Sequence, residues 1–131
     1  MALRILIVDD STIFRKYLRQ TLESHVGWEV CGEAVDGMDG IEKNRSLIPQ
    51  LILMDFSMPR MTGLESAAAI LKEFPGVLIV LLTLYPTDQL QHAAQNVGIR
   101  ATVAKADMRG LATDIGQALG GSPRSSGTCP C

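Results

Sequence analysis

Three short apolar runs constrain this chain more than any other feature. They are Leu3 to Val8, broken only by Arg4, then Leu51 to Met54, then Val77 to Leu82. Continuous apolarity, rather than alternation, marks strands covered on both faces, as in a parallel sheet. Each run stops at a polar residue: Asp9 and Asp10 after the first, Asp55 after the second, Thr83 after the third. Two weaker segments join them. Trp28 to Ala34 carries Val30 and Cys31, with Glu29 and Glu33 expected on one face by the two-residue period, a polar stripe suited to an edge strand. Ile99 to Ala104 is the last, and it ends at Lys105.

Between these runs the apolar spacing changes to three or four residues, the helical period. Ile13, Phe14, Tyr17, Leu18 and Leu22 predict the inner face of a first helix, capped by Asp10 or Ser11 and stopping near Gly27. Arg15, Lys16, Arg19 and Glu23 form its solvated side. Met38, Ile41 and Leu47 mark a shorter helix after the Asp36-Gly37 turn, closed by Pro49. Leu64, Ala67, Ala68 and Leu71 mark a third, ending before Pro75-Gly76. Pro86 suits the first turn of a fourth, with Leu90, Ala93, Ala94 and Val97 inward and Gly98 as its stop. Asp107 is placed to cap a fifth, with Leu111, Ile115, Ala118 and Leu119 inward. Strands alternating with helices in this way specify an α/β fold. The expected form is a (βα)5 doubly wound, five-stranded parallel sheet with right-handed crossovers.

The length of 131 residues suits one domain with a core of its own. Residues 1–119 are assigned to that domain. Residues 120–131, GGSPRSSGTCPC, have no periodicity and read as a flexible linker or C-terminal tail. A formal net charge of -2 leaves no bulk basic surface for direct nucleic acid binding. No apolar run approaches the ~20 residues of a membrane span. The N-terminal run is too short for a secretory signal, so the cytoplasm is the expected location. Cys31, Cys129 and Cys131 lack the spacing of a disulfide framework, and the last two supply at most half a zinc site. His25 and His92 adjoin no motif and read as surface or structural residues.

In a parallel sheet the C-terminal strand ends share one edge, and ligands bind there at the topological switch point. That edge should collect Asp9, Asp10, Asp55, Thr83 and Lys105. Carboxylates brought together repel and raise one another's pKa values, so positive charge must hold them. Lys105 supplies one charge and a hard divalent cation the rest. Oxygen donors without histidine or cysteine favour Mg2+ over zinc. A carboxylate beside such an ion, a hydroxyl and an amine is equipped to accept a phosphoryl group as an acyl phosphate. Other classes fit poorly. A dinucleotide-binding domain needs a glycine-rich turn where Asp9-Asp10-Ser11 stands, and the same acidic residues would repel a flavin phosphate. An aspartyl-intermediate phosphatase usually has a second Asp two residues after its nucleophile, and position 57 is Ser.

IVDDS at Ile7 to Ser11, MDFSMPRMTGLE at Met54 to Glu65, Thr83 after LIVLL, and Lys105 occur in order, each at a strand end. With these pieces the chain resembles the receiver domain of two-component response regulators from Leu3 to Leu119. Lys105-Ala106-Asp107 is similar in style to receivers of helix-turn-helix transcriptional regulators. The resemblance implies the flavodoxin-like strand order 2-1-3-4-5. It implies Asp55 as phosphoacceptor from a sensor histidine kinase, with Asp10 binding Mg2+ directly, Asp9 through water, and Ser57 through its backbone carbonyl. Thr83 would move toward the phosphoryl oxygens and Lys105 would pair with them. The signal would leave through the fourth helix, fifth strand and fifth helix, and family kinases approach around the first helix. Such a domain is a phosphoacceptor in signalling rather than an enzyme with a separate substrate. It is expected to be either a stand-alone regulator or the receiver of a longer protein. A C-terminal DNA-binding output domain, absent from this chain, and a phosphorylation-dependent homodimer both fit that picture.

The chain departs from the family pattern in three places. Many relatives carry an aromatic residue three before the lysine, where this chain has Thr102. Proline often follows the lysine, where this chain has Ala106. Leu84 fills a usually small position near Asp55, and Ser57 and Tyr85 stand where relatives tune acyl-phosphate hydrolysis. A degenerate receiver, acting as a phosphorylation-independent interaction module, is the competing reading.

Overall fold

The computed structural model describes residues 2–120. The expected tail, including Cys129 and Cys131, lies outside the described residues except for Gly120, which closes the last helix. Strand and helix alternate throughout: β1 (Leu3–Val8), α1 (Thr12–Glu23), β2 (Trp28–Ala34), α2 (Gly37–Leu47), β3 (Leu51–Asp55), α3 (Gly63–Glu73), β4 (Leu78–Thr83), α4 (Asp88–Val97), β5 (Ala101–Ala104) and α5 (Leu111–Gly120). The strands form one parallel sheet in the order β2-β1-β3-β4-β5, as the resemblance implied. The chain order reverses direction between β1 and β3, and the topological switch point lies there.

The apolar runs are buried because the sheet is covered twice. On one face Leu6, Val8, Ile52, Met54, Ile79 and Leu81 meet Ile41 of α2, Ala67 and Ile70 of α3, and Ala94 of α4. On the other, Ile5, Ile7, Leu51, Leu53, Val80 and Leu82 meet Leu18 and Leu22 of α1 and Leu111 and Ile115 of α5. Successive strand residues thus go to opposite layers, and an uninterrupted apolar run satisfies both.

The helices turn slightly from their expected faces. In α1 the stripe is Phe14, Leu18 and Leu22, spaced by four. Ile13 and Tyr17 lie one step round the helix and are exposed, Ile13 at 83%. In α2 the buried stripe is Gly37, Gly40, Ile41 and Asn44, and Met38 faces outward. Small residues let this helix approach closely: a Cβ on Gly40 would stand 3.1 Å from Val8. In α3 Ser66, Ala67 and Ile70 are buried and Ala68 is exposed. The Ser66 hydroxyl donates to the Gly37 carbonyl at 2.9 Å, tying α3 to α2. Leu119 of α5 faces solvent, while Leu111, Ile115 and Ala118 are buried.

Two expected helix starts also change. Pro86 precedes the fourth helix rather than opening it, because Thr87 caps α4 by accepting from the Leu90 amide. Asp107 accepts from the amide and guanidinium of Arg109, and α5 begins only at Leu111. An extra turn therefore separates Lys105 from the last helix. In β2 the pairing with β1 runs Ile5 with Val30 and then Leu6 with Gly32, so Cys31 is a bulge. Glu29 and Glu33 consequently lie on opposite faces rather than on one. Glu33 pairs in register with Ile7, on the α1 side.

Candidate functional site

The C-terminal edge of the sheet is assembled from backbone hydrogen bonds that fix each strand end. The Asp9 amide donates to the Ala34 carbonyl at 3.0 Å, anchoring β1 to β2 where the chain leaves the sheet. Ser11 then caps α1, accepting from the Phe14 amide at 3.2 Å. At the end of β3 the Phe56 amide donates to the Leu82 carbonyl at 2.9 Å. The loop that follows is held by the Gly63 amide, which donates to the Phe56 carbonyl at 2.8 Å, and by a capping box between Thr62 and Glu65. Position 63 must be glycine, since a Cβ there would lie 2.3 Å from the Asp55 carbonyl oxygen. The Lys105 amide donates to the Thr83 carbonyl at 2.7 Å and so registers the end of β5 against β4.

These bonds bring the predicted residues to one pocket of ≈ 410 Å³, whose lining includes Asp9, Asp10, Asp55, Ser57, Thr83 and Lys105. Asp9, Asp55 and Thr83 are buried, and Asp10 and Ser57 are exposed. Lys105 joins the carboxylates: its Nζ lies 2.9 Å from Asp9 Oδ2 and 2.9 Å from Asp55 Oδ1. The other Asp9 oxygen accepts the Ser11 amide at 2.8 Å. Thr83 Oγ1 accepts the Tyr85 amide at 3.3 Å. Leu84 and Tyr85 are exposed at the pocket's rim. Thr102 is half-buried on β5, and every peptide bond among the described residues is trans, including the one after Lys105.

The electrostatics follow from burial and pairing. Burial pushes the Asp55 carboxyl above the usual carboxylate range, the Lys105 hydrogen bond opposes this, and the Asp9 charge adds to it. Burial also works against the Lys105 ammonium. Its hydrogen bonds to Asp9 and Asp55 outweigh that penalty and hold its pKa above the ordinary lysine value. One oxygen each from Asp9, Asp10 and Asp55 lies within 4.8 Å of the others. Such a set consists of hard oxygen donors with excess negative charge and fits a hard divalent cation.

Four residues that shape this site carried no such assignment in the sequence. Arg15, expected in solvent, is only 11% exposed. Its guanidinium donates to the Asp9 carbonyl at 2.7 Å and to Glu33 at 2.9 Å. Glu33 is the second, and the bulge at Cys31 turns it toward α1. The ring of Phe14 is the third, lying 4.3 Å under the Lys105 ammonium, a cation–π contact. Gly63 is the fourth. Residue type gave no signal for Arg15, since a basic residue on an amphipathic helix is most often solvated.

Comparison with known proteins supplies the family. A response regulator receiver domain model matches residues 5–115. A protein-glutamate methylesterase/protein-glutamine glutaminase of Geobacter sulfurreducens is 43% identical over 82 residues, 63% of this chain and 23% of that protein. The response regulator protein VraR of Staphylococcus saprophyticus is 34% identical over 119 residues, 91% of this chain and 56% of that protein. The chain therefore spans well under two thirds of these relatives. Among solved structures, the response regulator domain of Thermotoga maritima CheB superposes with a TM-score of 0.87 at 27% identity, covering 94% of this chain and 100% of that one. A LuxR-family response regulator from Aurantimonas superposes with a TM-score of 0.88 at 27% identity, covering 92% and 87%. With two thirds or more of its length matched and its strand order shared, the chain belongs to the response regulator receiver domain family.

Proposed function

We propose that this receiver domain is activated by phosphorylation: Asp55 accepts a phosphoryl group from a sensor histidine kinase in the presence of Mg2+, and a protein-interaction face switches in response. The observation that carries this reading is the buried bridge of Lys105 to both Asp9 and Asp55, opening on a pocket lined by Asp10 and Thr83. Asp10, Asp55 and the Ser57 backbone carbonyl would hold the cation directly, and Asp9 through water. When bound, Mg2+ draws charge from the phosphoryl oxygens.

The chain's own residues do the rest. An Asp55 oxygen forms the new P–O bond as the P–N bond of the donor phosphohistidine breaks, and the electron pair stays on the imidazole nitrogen. Lys105 is charged and fixed in place before the phosphoryl group arrives, so it stabilises the incoming charge without reorganisation. Thr83 Oγ1 accepts the Tyr85 amide and keeps its own hydrogen to donate to a phosphoryl oxygen. Movement of Thr83 and Lys105 toward that group shifts the population of the α4–β5–α5 face. The domain catalyses only its own phosphorylation and dephosphorylation. It would work in the cytoplasm, passing the signal to a C-terminal DNA-binding output domain, to a separate target or through a phosphorylation-dependent homodimer.

Intact mass after incubation with Mg2+ and acetyl phosphate tests this. The expected result is one added phosphoryl group, lost at alkaline pH and absent in Asp55→Ala. No added mass with the small donor or with a cognate kinase would refute it. The competing reading is a receiver that works unphosphorylated, favoured by Thr102 in place of the family's aromatic switch residue. It predicts partner binding that is indifferent to the donor.

A further inference from the structure

The pocket's acidic loop is clamped from outside by a residue that does not line the pocket. Arg15 donates one guanidinium nitrogen to the Asp9 carbonyl at 2.7 Å, a second to Glu33 Oε1 at 2.9 Å, and a third to Thr12 Oγ1 at 3.4 Å. Glu33 is itself fixed. Its other oxygen accepts from Arg19 at 2.7 Å, and its backbone carbonyl accepts the Lys43 ammonium at 2.7 Å. The two arginines hold the Glu33 carboxyl below its ordinary range against the opposing effect of burial. The network joins α1, β2 and α2 and delivers its grip to one peptide, the Asp9–Asp10 bond. Asp9 is thus held at its amide by Ala34 and at its carbonyl by Arg15. The orientation of that peptide sets the direction in which Asp10, exposed and without a side-chain partner among the described residues, leaves the chain.

We infer that Arg15, oriented by Glu33, is a positioning residue for the cation and phosphoryl site: it fixes the Asp9–Asp10 peptide so that both carboxylates converge on the pocket. The inference rests on the Mg2+ reading proposed above. A planar fork suits this task because one guanidinium bonds a carbonyl and a carboxylate together, which a lysine ammonium on a shorter, flexible reach does less well. Groups that orient metal ligands from behind typically change metal affinity by about 10–100-fold when removed.

Calorimetric titration of the metal-free protein with Mg2+ tests it, using wild type, Arg15→Met, Arg19→Met and Arg15→Lys. Arg19→Met is the control, because it removes a Glu33 partner of the same charge without touching Asp9. Arg15→Met should bind Mg2+ about tenfold more weakly, and Arg19→Met should stay within about twofold of wild type. Arg15→Lys should recover affinity only in part. In the metal-free state, hydrogen exchange of the Ser11 amide, which donates to Asp9, should quicken in Arg15→Met and not in Arg19→Met. Equal affinity in Arg15→Met and wild type would overturn the role, as would full recovery in Arg15→Lys, which would show that charge alone acts. Should Arg15→Met fail to fold, Glu33→Gln loosens the same grip and must weaken Mg2+ binding more than Arg19→Met does. Failure of wild type itself to bind Mg2+ would instead overturn the metal reading, and this inference with it.

Discussion

The replacement Gly63→Ala isolates the contact on which the phosphoacceptor loop is built. The first turn of α3 lies directly on the Asp55 peptide, and a Cβ at position 63 would meet the Asp55 carbonyl oxygen at 2.3 Å, the Phe56 Cα at 2.9 Å and the Asp55 carbonyl carbon at 3.0 Å. All three are backbone atoms, so no side chain can swing aside. Ordinary contact requires about 1 Å more, and either the helix or the end of β3 must shift to provide it. Overpacking of this kind costs about 1–3 kcal/mol. At this domain size it lowers the melting temperature by about 4 °C per kcal/mol, hence by ~4–12 °C. Gly76→Ala is the matched control, since nothing lies within 4 Å of its Cβ. That change should be neutral or stabilise by up to ~1 kcal/mol through the unfolded chain. Thermal unfolding by circular dichroism reads both. Equal melting temperatures for Gly63→Ala and Gly76→Ala would refute the claim that α3 is seated on the Asp55 peptide.

Other outcomes follow from the same geometry. Ile70→Ala, at a fully buried position, should lose ~2–5 kcal/mol in denaturant unfolding, whereas Ile13→Ala should stay within ~0.5 kcal/mol. Thr62→Ala removes the capping box of α3 and should lose about 1 kcal/mol by the same measure. The folded-state pKa of Glu33 is lowered, so its contribution is complete above the ordinary glutamate value near 4.5 and disappears as pH falls through the depressed one. Wild type should therefore exceed Glu33→Gln by ~0.2–1 kcal/mol at neutral pH, with the gap closing only in acid below the ordinary value. A gap that persists there would contradict the ion-pair account. In Lys105→Ala, phosphoryl uptake from acetyl phosphate should slow but still occur, while amide chemical shifts in α4, β5 and α5 no longer respond. A wild-type response would show that the lysine contact is dispensable.

The sheet was legible because its strands are buried on both faces, which writes a continuous apolar run into Leu51 to Met54 and Val77 to Leu82. Helix faces were legible only to within a step. Ile13 and Phe14 are adjacent and both apolar, and only packing against the core layer under α1 and α5 decides which one turns inward. The gathering of Asp9, Asp55, Thr83 and Lys105 in one pocket follows from parallel topology, since Asp55 and Thr83 close their strands and Asp9 and Lys105 directly follow theirs. The support behind them was not legible. Arg15 resembles any solvated basic residue until β2 is seen to bulge at Cys31, and a bulge carries no reliable residue signature. That one extra residue turns Glu33 toward α1 and draws the guanidinium under the Asp9 carbonyl.

In the proposed function Asp55, and not its neighbours, takes the phosphoryl group. Three carboxylates contribute an oxygen to a cluster within 4.8 Å, so uptake of phosphate by the protein does not identify the acceptor. Borohydride reduction of the phosphorylated protein, followed by peptide mapping, does identify it, because reduction converts an aspartyl phosphate to homoserine. Homoserine is expected at position 55 alone, dependent on Mg2+ during phosphorylation. Homoserine at Asp9 or Asp10, or none at position 55 in protein that has gained a phosphoryl group, would contradict it.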